Sequence, residues 1–427
     1  MEGGNGTERT KRRATEPLQE EPTKKIKSKH YLTVPSRNVE AGRVLVCGEN
    51  KYGQLGLGPE AKTTTLPLDI NLEDIVAIDT GSFHSVCLNN KGEVFTFGHN
   101  RDGVLGRNTD YTRDQNDLQA YPGLVNLPNE AVKISAGDYH SCALLIDGTA
   151  YVWGIYKETG ELLEKTYEEG YYTCNRPELL SHTRQFVDIC SGIEHLLLLD
   201  TSGKLYTVKS VKQRQRGRQY QSFSSRNLDR GGREDVLVLK QIEYKLSPRG
   251  KIDKIWAGGY SSFIKRSEIP DVYAFGSNAC NKMGLGEDAD EVNFPRKSQI
   301  SSKEINLTKI STSLEHTLAI DMRGKCYSIG NADFGLLGLG NLDDFPVDLA
   351  EIPNLRDKIC VDISCGIASS FAITDQGDVY AWGSGTNLGI IDWEYDDIWS
   401  PVKIESMPGK KVMAISPGYY HTLFLVK

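Results

Sequence analysis

Residues 81–98 read Gly81-Ser-Phe-His84-Ser-Val86-Cys-Leu88-Asn-Asn-Lys-Gly92-Glu-Val94-Phe-Thr-Phe97-Gly98. A glycine-led turn opens the stretch, apolar residues alternate through Val86 and Leu88, and Lys91-Gly92 breaks them before Val94–Phe97 resumes. Short β-branched and aromatic runs either side of a glycine-bearing pair predict an antiparallel hairpin. The same break recurs at Asp147-Gly148, Ser202-Gly203, Arg323-Gly324 and Gln376-Gly377. The opening turn returns at Gly137-Asp-Tyr-His140, Gly192-Ile-Glu-His195, Gly258-Gly-Tyr-Ser261, Ser313-Leu-Glu-His316, Gly366-Ile-Ala-Ser369 and Gly418-Tyr-Tyr-His421. The spacing is about 52 to 66 residues, a period that signals a propeller or a solenoid. A unit of that size cannot bury its own apolar face, so neighbours must stack.

The two ends of the pattern decide between a row and a ring. Arg43-Val-Leu-Val-Cys-Gly48 and the loop Gly53-Gln-Leu-Gly-Leu-Gly58 form the second half of a repeat without its first half. Ile415-Ser-Pro-Gly418-Tyr-Tyr-His421-Thr-Leu-Phe-Leu-Val426 is a first half without its second. Joined, they complete a seventh unit, which closes a ring and removes the free sheet edges of an open stack. The expectation is an all-β, seven-bladed β-propeller over residues 41–427, closed by N- and C-terminal strands.

Composition agrees with one large ring. The 42 glycines fall mostly at repeat positions, as turns require. Nine cysteines contain no C-x-x-C pair and sit mostly in strand patterns, so they are expected to be reduced core residues of an intracellular protein. No run approaches 18 apolar residues, and no membrane association is expected. The glycine-rich loops, such as Gly98-His-Asn-Arg-Asp-Gly103-Val-Leu-Gly106, are not followed by a helix pattern, so they do not read as phosphate cradles. No metal-ligand spacing, nucleophile constellation or cofactor fingerprint is present, which argues against covalent chemistry.

Residues 1–40 differ in kind, with charge, threonine and proline and little to bury, and are expected to be disordered. Lys11-Arg12-Arg13 and, ten residues on, Lys24-Lys25-Ile-Lys27 have the spacing of a bipartite nuclear localisation signal, or form a merely solvated basic arm. A mobile cationic arm also gains affinity for DNA by counterion release. The whole chain carries a formal charge of −7, so the basic character is local.

With the turn and loop signatures in place, several stretches resemble the regulator of chromosome condensation family along essentially the whole chain. They are Gly53–Gly58, Gly103-Val-Leu-Gly-Arg107-Asn-Thr109, Ser135-Ala-Gly-Asp-Tyr-His140, Trp382-Gly-Ser-Gly-Thr-Asn387, Trp399-Ser-Pro401 and Arg226-Asn-Leu-Asp-Arg230-Gly-Gly-Arg233. The resemblance is to the branch that binds chromatin and acts as guanine nucleotide exchange factor for the small GTPase Ran. It implies that the propeller face carrying the turns binds Ran, while a projecting hairpin wedges beside the nucleotide. It also implies exchange without covalent chemistry, by preference for the nucleotide-free GTPase.

Carried over by position, the resemblance implies Ran contacts at Asp138, Glu194, His84, Glu315 and His421. The wedge would be Tyr156–Leu163, with Lys157, Glu158, Thr159, Gly160 and Glu161 at its tip, and reads one residue shorter than in the family. Glu194 stands where the family has aspartate, and Glu315 where it has histidine. In the overlong third interval, the basic run Lys209–Arg218 and Arg226, Arg230 and Arg233 correspond to an element that docks on the acidic surface of the nucleosome. The implied partners are Ran, the nucleosome and its DNA, and a nuclear import receptor. The implied setting is chromatin in the nucleus, with roles in nucleocytoplasmic transport and the mitotic spindle, and the protein is expected to be a monomer.

Other readings stay open at several of these residues. Histidines recurring at one repeat position fit hydrogen bonding within the ring, and Asp138 equally fits a turn cap. Trp153 and Trp382 fit blade packing, and the basic loop fits an exposed charged surface. Glu315, the shorter wedge and the missing glycine at Val208-Lys209-Ser210 also fit a divergent paralogue: a nuclear chromatin- or protein-binding propeller with lost or reduced exchange.

Overall fold

The structure is a computed structural model and describes residues 40–427 apart from 101, 110–117, 158–170, 210–238, 243–250, 268, 287, 341–347 and 391–396. Its strands form seven antiparallel sheets of four. Blade 1 comprises Ile75–Thr80, His84–Asn89, Val94–Gly98 and Gly123–Leu124, and the same up-down order repeats in blades 2 to 6, which open at Ala131, Phe186, Ile252, Leu307 and Cys360. Helix is confined, among the described residues, to short 3-10 turns in the loops. None is long and apolar enough to cross a membrane.

Blade 7 is built from both ends of the pattern. Its sheet runs Val412–Pro417, His421–Val426, Arg43–Gly48, Thr64–Asp69 from the inside outward. Arg43–Gly48 pairs in unbroken register with His421–Val426, from Arg43 opposite Val426 to Gly48 opposite His421. The apolar alternation explains the match: Val44, Val46, Leu423 and Leu425 are buried towards blade 1, and Leu45, Cys47, Phe424 and Val426 towards blade 6. Phe424 meets Phe371 of blade 6 edge to face at 6.1 Å.

The turns behave as their residues require. The hairpin glycines Gly92, Gly148, Gly203, Gly324 and Gly377 all have φ near +80°, a region open to glycine at little cost. At the opening turns the constraint is space. A Cβ on Gly137 would collide with the His140 ring and with the Gly192 carbonyl oxygen of the next blade. The first strands of all seven blades line a central cavity of about 700 Å³.

Two expectations are refined here. The loop tryptophan reading is structural: Trp153 donates to the Val104 carbonyl at 2.7 Å and Trp382 to that of Leu336 at 2.8 Å, each reaching the preceding blade. The cysteines are all free, but Cys280 is exposed, not a core residue. It sits in the blade 4 loop at φ 56°, so it closes a turn instead of filling a strand.

Candidate functional site

The opening turns and the loops after each third strand share one face of the ring, because His84 pairs with Gly98 and His140 with Gly154. On this turn face, five histidines do one job. His84 Nε2 lies 2.8 Å from Ser141 Oγ of the next blade, and His195, His316, His140 and His421 reach Ser262, Ser370, Ser191 and Ser85 at 2.8 to 3.1 Å. Ser85, Ser141 and Ser370 already donate their proton to the carbonyls of Gln54, Val104 and Leu336. The imidazole Nε2–H must therefore donate to them, which fixes a neutral tautomer. Burial holds His84, His140, His316 and His421 at about 3. His84 and His421 are at most 1 % exposed, so they tie blades together and have no surface to offer a partner.

Two junctions lack the tie. Ser261 replaces histidine in blade 4 and donates to Ser277 O at 2.6 Å. There the fully buried Lys282 bridges instead, its Nζ donating to the Ser313 and Leu314 carbonyls of blade 5 at 2.9 and 2.6 Å. Burial lowers its pKa to about 8. Between blades 6 and 7, Ser369 replaces histidine, and both Ser369 Oγ and Thr422 Oγ1 are buried without a hydrogen-bond partner.

What the turns present to solvent is a set of carboxylates and aromatic rings. Asp138 and Glu194 occupy adjacent turns, and both are partly exposed. Burial, and then the charge of Glu194, raises the Asp138 carboxyl to about 7, against a hydrogen bond from Ser82 that favours the charged form. Tyr260 of blade 4 is raised to about 12 by burial and by these two carboxylates, and burial with the Asp138 charge raises Tyr419 as well. Phe83 stacks on Tyr419 at 5.5 Å and meets Tyr52 edge-on at 5.3 Å, with His99 and Tyr420 completing the group. Tyr260 and Tyr420 are 43 % and 49 % exposed, in a position where a partner can cover them.

Glu315 lies farther round the ring, on the blade 5 turn. It accepts from Asn331 Nδ2 at 2.8 Å, and its charge favours the protonated form of Lys282. The third strand of blade 2, Ala150–Lys157, runs three residues past the Gly154 position, whereas the other third strands stop at or within one residue of it. Ile155, Tyr156 and Lys157 pair with Thr173, Tyr172 and Tyr171, so a two-stranded extension leaves the turn face beside Asp138. Of the wedge residues Lys157 stands at its described end, while Glu158, Thr159, Gly160 and Glu161 lie outside the described residues. So do Arg226, Arg230 and Arg233, and Lys11, Arg12, Arg13, Lys24, Lys25 and Lys27.

Sequence reasoning brought Asp138 and Glu194 to one rim and grouped Glu315 with them, and of its two readings of His84 and His421 the structure displays the hydrogen bonding within the ring. It missed the aromatic residues. The signal was available: the residue before the histidine position is Phe83, Tyr139, Tyr260 or Tyr420 in four of the seven turns.

A profile described as the RCC1-like domain matches residues 43–424, nearly the whole ring. The chain belongs to the RCC1-like family. Within it, the chain is 35 % identical over 422 residues to the regulator of chromosome condensation of Xenopus laevis, covering 95 % of this chain and 94 % of the relative. The fold likeness extends to Prp20p of Saccharomyces cerevisiae, in a structure described with its binding to Gsp1p and histones. There the TM-score is 0.74 at 21 % identity, over 93 % of this chain and 92 % of that one. A yeast RCC1 (Prp20) structure bound to Kap60 superposes with TM-score 0.75 at 20 % identity, covering 98 % and 96 %. At those identities the structures speak for the RCC1-like propeller alone.

Proposed function

We propose that this chain is a guanine nucleotide exchange factor that promotes GDP release from a Ran-type GTPase on chromatin. The observation that carries the reading is the gathering of Asp138, Glu194, Tyr260, Tyr419 and Tyr420 on the turn face, beside the blade 2 extension, in a chain of the RCC1-like family. Carboxylates on that face can accept charge-assisted hydrogen bonds from basic side chains and backbone N–H groups. Partly exposed tyrosines supply the large, rigid contact area that interfaces favour. No bond to the nucleotide need be made or broken by the protein. If these contacts are better formed with the empty GTPase than with the loaded one, binding itself expels GDP.

Lys157, at the described end of the blade 2 extension, and Glu158, Thr159, Gly160 and Glu161, which follow it in sequence, supply the wedge in this reading. The 1–40 segment and the arginines 226, 230 and 233 hold the ring to nucleosomes. The tail also carries the import signal, for a receptor of the kind that Kap60 represents for the yeast relative. The competing reading, a propeller that binds without exchanging, is favoured at one point: Glu315 is engaged with Asn331 and stands where the family resemblance implies histidine. Release of labelled GDP from Ran, with and without the purified protein, decides. Acceleration at catalytic amounts of protein supports exchange, and stable Ran binding with unaltered release supports the competing reading.

A further inference from the structure

We infer that the ring has one seam, the junction of blades 6 and 7, where it opens while blade 7, built from both ends of the pattern, stays on blade 1. The seam stands on the fold alone and does not depend on the GTPase reading.

Neighbouring blades are fastened at two levels. At the turns, a histidine reaches the next blade at junctions 1–2, 2–3, 3–4, 5–6 and 7–1, and Lys282 does so at 4–5. Nearer the channel, the residue two before a turn accepts from the backbone of the next blade. Ala136 N–H donates to Asp79 Oδ2 at 2.9 Å, Ser191 N–H to Ser135 Oγ at 2.9 Å, and Cys365 N–H to Ser311 Oγ at 3.0 Å. Junction 6–7 has neither fastening. Ser369 stands at the histidine position, and its Oγ and Thr422 Oγ1 are buried without a hydrogen-bond partner. At the channel level the donor position falls on Pro417, which has no N–H.

Blade 7 is held to blade 6 by apolar packing. Leu45, Cys47 and Phe424 share one buried cluster with Phe371 and Ile373. Across it Cys47 Sγ donates to Asn387 O at 3.3 Å, and a thiol is a weak donor. Towards blade 1 the fastening is different. His421 reaches Ser85, Ser416 Oγ donates to Asp79 Oδ1 at 3.2 Å, Tyr419 N–H donates to Ser82 O at 3.2 Å, and Gly42 and Ile75 exchange backbone bonds at 2.8 and 3.0 Å. Opening at the seam also lets water reach the two orphaned hydroxyls, which relieves the cost of burying them unpaired. Phe83 of blade 1 and Tyr419 of blade 7, stacked at 5.5 Å, lie on the fastened side, so the aromatic group of the turn face survives the opening.

Buried thiols of the protein itself report the opening. Cys47 lies on the seam, Cys87 in the cluster shared by blades 7 and 1, and Cys142 in the cluster spanning blades 1 to 3, and all three are wholly buried. Folded wild type is exposed to iodoacetamide, alkylation of each cysteine is followed by mass spectrometry of its peptides, and each rate is divided by that in urea-unfolded protein. With opening fast relative to alkylation, the ratio reads the open population. Cys47 should react about 30-fold faster than Cys87 and Cys142, the scale of two absent hydrogen bonds. Thr422→Val, which removes an orphaned hydroxyl, should leave the Cys47 rate unchanged or lower it. Equal rates at the three thiols, as fraying of the terminal strands or unfolding of the whole ring gives, overturn the seam. So does faster reaction of Cys47 in Thr422→Val, since that hydroxyl then had a partner to lose.

Discussion

Phe424→Ala tests the closure of the ring. The ring of Phe424 is fully buried in the second strand of blade 7, against Leu45 and Ile415 of its own blade and Phe371 of blade 6. Removing a buried phenylalanine costs about 3–5 kcal/mol in lost burial and residual cavity, of which the edge-to-face contact supplies about 0.5–1.5 kcal/mol. The loss falls on the strand that joins Arg43–Gly48 to the C-terminal half of the blade, so it is felt by the whole ring and not by a frayed terminus. Urea unfolding followed by tryptophan fluorescence should show one transition at a lower midpoint with an unchanged slope. The exposed Tyr420→Ala should move the midpoint by no more than about 0.5 kcal/mol. A Phe424→Ala loss below about 1 kcal/mol, or an early minor transition that leaves the main one in place, would refute the shared blade.

Further outcomes follow from the ties and from the basic segments. Ser369→His should add the missing tie to Thr422 and raise stability by about 1 kcal/mol; a lowered urea midpoint would show that the blade 6–7 junction has no room for it. Four buried histidines sit at about 3 in the folded ring, against about 6.5 in an unfolded chain. The unfolded chain then takes up protons first, so stability is full above pH 6.5 and drains away as pH falls towards 3. Asp79 and Asp138, raised by burial, act in the opposite sense but are fewer. Urea midpoints that stay level from pH 7.5 to pH 4.5 would contradict neutral buried imidazoles. Alanine at Arg226, Arg230 and Arg233 together should weaken nucleosome binding and flatten its logarithmic salt slope by up to about 3, whereas unaltered binding leaves them as ordinary solvated surface.

The ring was legible because its signals are local. Alternation through Val86, Leu88 and Val94, a glycine at Gly92, and half-repeats at Arg43 and Val426 each involve neighbours in sequence. The partners of the ties were not legible, because Ser141 meets His84 only once blades stack. His84 and His421 therefore stood open to two readings, a Ran contact or a bond within the ring, until the stacked blades supplied their serine partners. Lys282 was hidden for a similar reason: a lysine in a glycine-rich loop reads as solvated, and only the stacked fold puts two blade 5 carbonyls around its ammonium. At the candidate site, Asp138 and Glu194 were picked out by the family resemblance, while the rings of Phe83, Tyr260, Tyr419 and Tyr420 were given no role by the sequence. Their exposure depends on the tips of the turns standing clear of the sheets, which periodicity does not report.

The central claim is that the turn face prefers an empty GTPase to a loaded one, and affinity measures that preference directly. Binding of Ran in its nucleotide-free and GDP-bound forms can be compared by surface-immobilised titration, for wild type and for Asp138→Ala. The account predicts that wild type binds the nucleotide-free form at least about 100-fold more tightly, a difference large enough to shift the population. Asp138→Ala should narrow that ratio while its urea midpoint stays close to wild type. Equal affinities of wild type for the two forms would contradict the account, since a partner that binds both states equally displaces nothing.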